Sequence, residues 1–526
     1  MLIKIIQNSL GISLYIIYSK FILIILMFYI IWRCFTLTVT KVFWYAIVIC
    51  ITIVLWGAFF PDNLNDLTAS LTAIIADNFA WFYVVVILLL IAFAIFLMFS
   101  RFGEVKLGKD TDEADFTLPA WFAMLFSAGM GIGLMFFTTA ETISHAFIST
   151  PNAPPGSEQA IMESLQYTSL HWGLHGWGLY SVVALVLAYF KFRIGAPGLI
   201  SATLIPLLGE KRINGFIGTL IDTLAVFATI VGVASTLGLG SAQINSGLTY
   251  LFDAPKAFWF QMIILAIATV LFIISAWSGL GRGIRYLSTI NMSLATVLII
   301  LLFIVGPSIY IIEMFLTTTG NYLANFIQMS FDLKPTDVDH KDWLNDWTIF
   351  YWAWWISWAP FVGMFIARVS KGRTVKEFIA GVLLAPTLVT MLFFAVFGSS
   401  ALNLENLGIT QLSQLETETV TFGMFEQYPL GTVLSLITIV VIAIFFITSA
   451  DSATFVLGMF TTGGKLNPSN KVKITWGIIL SAMAAIVMYS GGIEGFQNML
   501  IIAALPLSLI VVAMVVSFYL TINKHM

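Results

Sequence analysis

The sequence predicts an all-α polytopic membrane protein of about twelve transmembrane helices, and three observations predict it. The 526-residue chain is 59% hydrophobic and 10% charged, with a mean hydropathy of +0.97. A soluble domain carries far more charge and cannot cover so much apolar surface. Apolar stretches near the roughly 20 residues that cross a ~30 Å hydrocarbon core recur along the whole chain. Lysine and arginine alternate between the loops that join these stretches, as they do when every second loop is cytoplasmic.

In order, the spans are read at about 42–60, 80–99, 119–139, 172–190, 216–240, 257–276, 293–314, 347–368, 378–400, 431–456, 474–490 and 497–520. A further apolar run, 11–32, contains Lys20. A thirteenth span, an interfacial helix and an upstream start-site artefact all stay open for it. A signal peptide is disfavoured, because the run is long and no small-residue cleavage site follows.

The loops 61–79, 140–171, 401–430 and 491–496 hold no Lys or Arg. By contrast, 100–118 holds Arg101, Lys106 and Lys109, and 191–215 holds Lys191, Arg193, Lys211 and Arg212. Further basic links carry Arg282 and Arg285, then Arg368, Lys371, Arg373 and Lys376, then Lys465, Lys471 and Lys473. This places the basic loops and the C-terminus in the cytoplasm of a cell-membrane protein. Net charge is −3, so no basic surface points to nucleic acid. Cys34 and Cys50 lie in apolar runs and read as buried small hydrophobes.

The Gly-broken, amphipathic segment 278–292 reads as a short interfacial helix at a midpoint. Spans three to seven then form one block of five and spans eight to twelve another. Five is odd, so the blocks enter the membrane from opposite sides. An inverted 5+5 repeat is a transporter architecture, with its site at the repeat interface near the midplane. The divisions are 1–40, an N-terminal extension; 41–118, two preceding helices; 119–314, the first block; and 315–526, the second block with a short C-terminus.

Within the third span, SAGMGIGLMFF carries Gly129, Gly131 and Gly133. Each Gly in a helix interior costs up to about 1 kcal/mol relative to Ala, so the three predict local unwinding. Unwound membrane backbone is tolerated only against protein or a water-filled cavity, where its N–H groups suit an anion and its carbonyls a cation. Close helix packing through small residues is the bland alternative. In the fourth span, Trp172, Trp177 and Tyr180 share an arc of about 140°, and in the eighth Tyr351, Trp354, Trp355 and Trp358 share about 100°. A single tryptophan belongs in an interfacial belt, but Trp354, Trp355 and Trp358 lie too deep for one. Two aromatic faces predict a box for a quaternary ammonium, held by cation–π attraction. With neighbouring backbone N–H groups for a carboxylate, the expected ligand is a small zwitterion such as a betaine.

Hydroxyls of Thr448, Ser449 and Ser452 and the carboxylate of Asp451 interrupt the tenth span. Such hydroxyls usually bond to their own helix; grouped with unwound carbonyls they also suit Na⁺. Asp222 and Thr229 are weaker cases of the same kind. His171 and His175, four apart with no nearby carboxylate in sequence, read as a span entrance rather than a metal site. Glu141 and His145 read as a salt-linked extracellular lid. No catalytic constellation and no cofactor motif occurs, so an enzyme is not expected.

From about residue 40 to its end the chain resembles the betaine/carnitine/choline transporter family. The likeness rests on WTIFYWAWWISWAPFVGMFIARVSKGRTVKEFIAGVLLAP, with SAGMGIGLMFF, IDTLAVFATIVGVASTLGLG, SGLGRGIRYLSTINM and ITSADS in the family's order. The resemblance implies the leucine-transporter-type inverted repeat after two extra helices, and often a homotrimer. It implies a box at Trp172, Trp177, Tyr180 and Trp355, with Trp358 on the substrate's path, and Gly129, Gly131 and Gly133 near the substrate's other end. It implies one Na⁺ site from carbonyls of Ser127, Met130 and Phe445 with hydroxyls of Thr448 and Ser449. A second site matches at Thr229 and Phe361, but Val233 replaces its other hydroxyl. The chain has Glu141-Thr142 where the family usually has Glu-Pro, and INKHM where osmosensing members carry a long charged tail.

Some choline-specific members place an Asp where this chain has Gly133, which favours a carboxylated substrate. The expectation is Na⁺-coupled uptake of glycine betaine, an osmoprotectant role resting on transport itself. The alternatives are choline or carnitine movement by proton coupling or exchange, and a membrane sensor that binds a betaine without moving it.

Overall fold

The computed structural model describes residues 39–129, 131–278 and 281–525. The run 11–32, Cys34 and Met130 lie outside them. The described chain is helical, with one isolated β-bridge between Lys106 and Thr374. Its main helices are α1 (Lys41–Phe59), α2 (Pro61–Phe99), α3 (Leu118–Gly129), α4 (Ile132–Ile143), α5 (Glu158–Trp172), α6 (Leu174–Ala188) and α7 (Phe216–Phe252). They continue with α8 (Phe258–Ser278), α9 (Gly281–Val305), α10 (Ser308–Ser330), α11 (Phe350–Val369), α12 (Val375–Asn406), α13 (Gly431–Thr461) and α14 (Asn470–Lys524).

Among the described residues, ten helices are long and apolar enough to cross a membrane. Of these, α14 turns at Gly492 (φ 58°, ψ −140°) and holds the two spans read at 474–490 and 497–520. The α3–α4 pair is the third span, broken as its glycines predict: Gly131 is extended, at φ −143° and ψ −152°. All twelve predicted spans therefore have a helical counterpart.

Three boundaries differ from the sequence reading. Residues 61–79 are helix, not loop, because Pro61 starts a new helix at the position where its missing N–H costs nothing. The 39 residues of α2 rise about 58 Å, so the helix projects well beyond a ~30 Å core. The segment 281–292 is the first part of α9 rather than a separate interfacial helix, and α9 ends at Val305, not at 314. Gly306 and Pro307 stop it, since proline cannot continue the hydrogen-bond ladder. A new helix, α10, then covers much of the predicted loop 315–346, and the division drawn at 314 falls inside it.

The loops gather on two faces in the predicted alternation. On the basic face, Leu107 exchanges backbone hydrogen bonds with Arg373 and Gly372, and Arg193 meets Asp110 at 2.6 Å. On the lysine-poor face, Lys341 meets Asp77 at 2.7 Å, Tyr167 donates to Asp332 at 3.1 Å, and His340 lies 3.0 Å from the Pro151 carbonyl.

The helices also sort radially. In the most apolar stretch of α5–α6, and in that of α11, 94% of residues are buried; in α8 and α9 the figure is 22%. A helix buried all round has no lipid face to keep apolar, so it can carry polar and aromatic groups inward. The site lies between these inner helices.

Candidate substrate site

The indoles of α11 meet α6 because glycines let them. A Cβ on Gly176 would lie 2.2 Å from Trp355 Cε2, and one on Gly133 would lie 2.4 Å from Trp354 Cη2. On α7, a Cβ on Gly232 would lie 2.5 Å from Trp358 Cδ1. Each approach is closer than any real side chain allows, so three glycines on three helices seat three tryptophans.

A second break completes the site. Gly173 is non-helical (φ −99°, ψ −134°) and separates α5 from α6. The carbonyls released there are taken by side chains of two other helices: His171 O accepts from Trp355 Nε1 of α11 at 2.9 Å, and Trp172 O from Thr390 Oγ1 of α12 at 3.1 Å. The unwound turn therefore orients Trp355 directly, instead of leaving a buried carbonyl unsatisfied.

The result is a partly open pocket of about 350 Å³, a figure that includes open solvent, lined by Gly131, Gly133, Leu134, Trp172, Tyr180, Thr236, Trp354, Trp355 and Trp358. Ring centroids lie 6.0 Å apart for Trp172–Trp355, 6.0 Å for Trp172–Trp354 and 4.7 Å for Tyr180–Trp355, at steep interplanar angles. Edge-to-face packing of this kind satisfies the ring quadrupoles. Trp177 does not line the cavity; it packs behind, 5.9 Å from Trp355 and 5.7 Å from Tyr180. Gly129 ends α3. Leu134, Thr236 and the seating glycines Gly176 and Gly232 were missed in the sequence; only the spacing of Gly176 from the fourth-span aromatics hinted at one of them.

The hydroxyl-bearing helix reaches the break. A Cβ on Gly131 would lie 3.6 Å from Ser449 Oγ, so α13 faces the extended backbone there. Thr448 donates its hydroxyl proton within α13, to Ile444 O at 2.9 Å and Phe445 O at 3.3 Å. Its oxygen lone pairs stay available to a cation. Phe445 is buried, and Ser127 lies within α3. At the other predicted position, Thr229 donates to Ala225 O at 2.8 Å and Phe361 packs 5.6 Å from Trp358. Asp451 sits mid-helix rather than at a helix end and accepts from Ser275 of α8. Asp222 accepts from the backbone N–H and hydroxyl of Ser201, at 2.9 and 2.6 Å, and so tethers that loop.

The expected link between Glu141 and His145 is present at 3.3 Å, but it is buried and part of a larger cluster. The Glu141 side chain is fully buried and receives His145, His171, Trp172 and Tyr351. Sequence distance hid this, since His171 lies thirty residues from Glu141. His175, by contrast, is a packing residue, 2.8 Å from Ser330 Oγ and stacked on Trp352.

The family model described as betaine/carnitine/choline family transporter matches residues 41–526. The glycine betaine transporter OpuD of Bacillus subtilis (strain 168) is 53% identical over 93% of this chain and 95% of its own. The ectoine/hydroxyectoine transporter of Virgibacillus pantothenticus is 38% identical over 92% of this chain and 96% of its own. A glycine betaine transporter of Acinetobacter baylyi is 39% identical over 86% of this chain and 68% of its own.

Proposed function

The chain belongs to the betaine/carnitine/choline transporter family, and from that premise we propose that it imports glycine betaine by sodium symport. The observation that carries the substrate is the box of Trp172, Tyr180, Trp354 and Trp355 around one cavity. A trimethylammonium head has no N–H to donate, so ring faces are its best partners. Each desolvated contact contributes about 2 kcal/mol. The first N–H groups of α4, next to the extended Gly131, have no intrahelical acceptor and suit the carboxylate end. Two of the relatives above are named for glycine betaine, which supports the same choice.

Coupling rests on the meeting of Ser449 with the α3–α4 break, and on the free lone pairs of Thr448. A cation held there ties α13 to the broken helix. Bound sodium would thus favour the backbone shape that also receives the carboxylate, linking the two equilibria through one element. With Val233 at the other position, Thr229 and Phe361 contribute less, and one strong sodium site is the reading. A cytoplasmic basic face and C-terminus, and assembly as a homotrimer, belong to the same proposal.

The test is labelled glycine betaine uptake into proteoliposomes with an inward Na⁺ gradient, and with K⁺ in its place. Uptake with Na⁺ only is the expected result. Equal uptake overturns sodium coupling. No uptake, with choline counterflow in the same vesicles, overturns the substrate; binding without counterflow of either would make the protein a sensor.

A further inference from the structure

On the lysine-poor side of the box lies a polar hub that the transport reading leaves unused. Glu141 is fully buried, and among the described residues its ion-pair partners are only His145 and His171. A buried carboxylate without compensation costs several kcal/mol, so the hydrogen bonds must hold it.

Proton positions follow from the partners. The Trp343 indole N–H can only donate, so His145 Nδ1 accepts it at 3.3 Å. The His145 proton then sits on Nε2, 3.3 Å from Glu141 Oε1. Thr348 Oγ1 lies 2.9 Å from His171 Nε2, which leaves His171 Nδ1–H to donate to the same Oε1 at 2.7 Å. Trp172 Nε1 donates to Oε2 at 2.9 Å, and the Tyr351 hydroxyl donates to it as well. Four donors face two oxygens. A protonated carboxyl would turn its own O–H against one of them, so the arrangement selects the carboxylate.

The same protons argue against a metal. The ligand atoms of Glu141, His145 and His171 lie within 4.8 Å of one another. A metal on His145 Nε2, however, would move the proton to Nδ1, directly against the Trp343 N–H.

We propose that Glu141 is a positioning residue for cation recognition: its carboxylate fixes the Trp172 indole as a wall of the box and enriches that ring in negative charge. An N–H donated to an anion polarises the donor, and the attraction of a cation to a ring face is electrostatic. This rests on the reading of the box as the substrate site.

The test measures KM and Vmax for glycine betaine uptake by the full chain in liposomes, for Glu141→Gln, Trp172→Phe, the double variant and Trp355→Leu. Glu141→Gln, of the same shape without the charge, is expected to raise KM about tenfold with Vmax unchanged. In the Trp172→Phe background, which has no indole N–H, the same change should move KM less than about twofold, since two residues acting through one bond are not additive. An unchanged KM in the single variant overturns the proposal, and so does the full tenfold effect in both backgrounds. Trp355→Leu separates the two readings. If it raises KM while Glu141→Gln does not, only the role of Glu141 fails; if neither does, the box itself fails. Should Glu141→Gln not insert, Glu141→Asp keeps the charge but draws it away from the indole. It is expected to raise KM in the same way, and an unchanged KM overturns the proposal.

Discussion

On the lysine-poor side of the indole box every polar group of the Glu141 hub has a partner. On the basic side, the N–H groups of Trp177 and Trp358 and the hydroxyl of Ser357 have none among the described residues. Both regions are buried; the hub is built from α4, α5 and α11, and the other from α6 and α11. A buried donor left unmade costs about 1–3 kcal/mol, so the hub is held more firmly than these three groups, although His175 Nδ1 and Asn345 Oδ1 beside it are likewise without a partner among the described residues. The hub is a closed hydrogen-bond network that locks Trp172 against Tyr351. The deeper half of α11 has no such network around Ser357 and Trp358, and Pro360 interrupts its backbone ladder.

The largest effect expected from breaking the contrast is at the ring both halves share. Trp355→Leu removes the indole that touches Trp172, Trp177 and Tyr180. Losing a desolvated contact of about 2 kcal/mol should raise the KM for betaine about 30-fold. Insertion should stay intact, checked by uptake alongside size-exclusion profiles.

Next come the seats. Gly176→Ala and Gly133→Ala each push a methyl into an indole. Overpacking costs about 1–3 kcal/mol, so uptake should fall about tenfold for each. Gly320→Ala, where a Cβ meets nothing within 4 Å, should leave uptake unchanged. Equal loss in all three would make the effect one of folding rather than of ring placement.

A smaller effect sharpens the basic-side half. Thr448→Ala and Ser449→Ala should raise the sodium concentration for half-maximal uptake severalfold while leaving maximal uptake near wild type. A shift in betaine KM at saturating sodium would place these hydroxyls on the substrate instead.

The smallest lies in the loops. Lys256 bonds Glu416 and holds its carboxyl below the usual carboxylate range. A depressed carboxylate stabilises the fold above its unfolded value of about 4.3, and that contribution is lost as pH falls through the folded value. Burial raises the neighbouring Glu418 and works the other way. The pair is exposed enough that Lys256→Met should cost less than about 1 kcal/mol near neutral pH. The difference in melting temperature between variant and wild type should shrink on acidification.

The sequence by itself determined the class, the spans and the rings. Hydropathy reports transfer into lipid, and that is a property of each segment alone. The helical arc of Tyr351, Trp354, Trp355 and Trp358 follows from 3.6 residues per turn, and the break at Gly131 from backbone propensity. The break at Gly173 was not legible, because Gly173, Gly176 and Gly178 in an aromatic helical pattern read equally as packing. Nor was the difference between Trp177, which supports the box, and Trp358, which lines it. Periodicity gives the face of a helix, but not what faces it. Only the tertiary structure decided that Glu141, His171 and Tyr351 share one hub, and that Gly133, Gly176 and Gly232 are seats for tryptophans. Those are contacts between helices far apart in the chain, set by how the elements pack, and no local pattern encodes them.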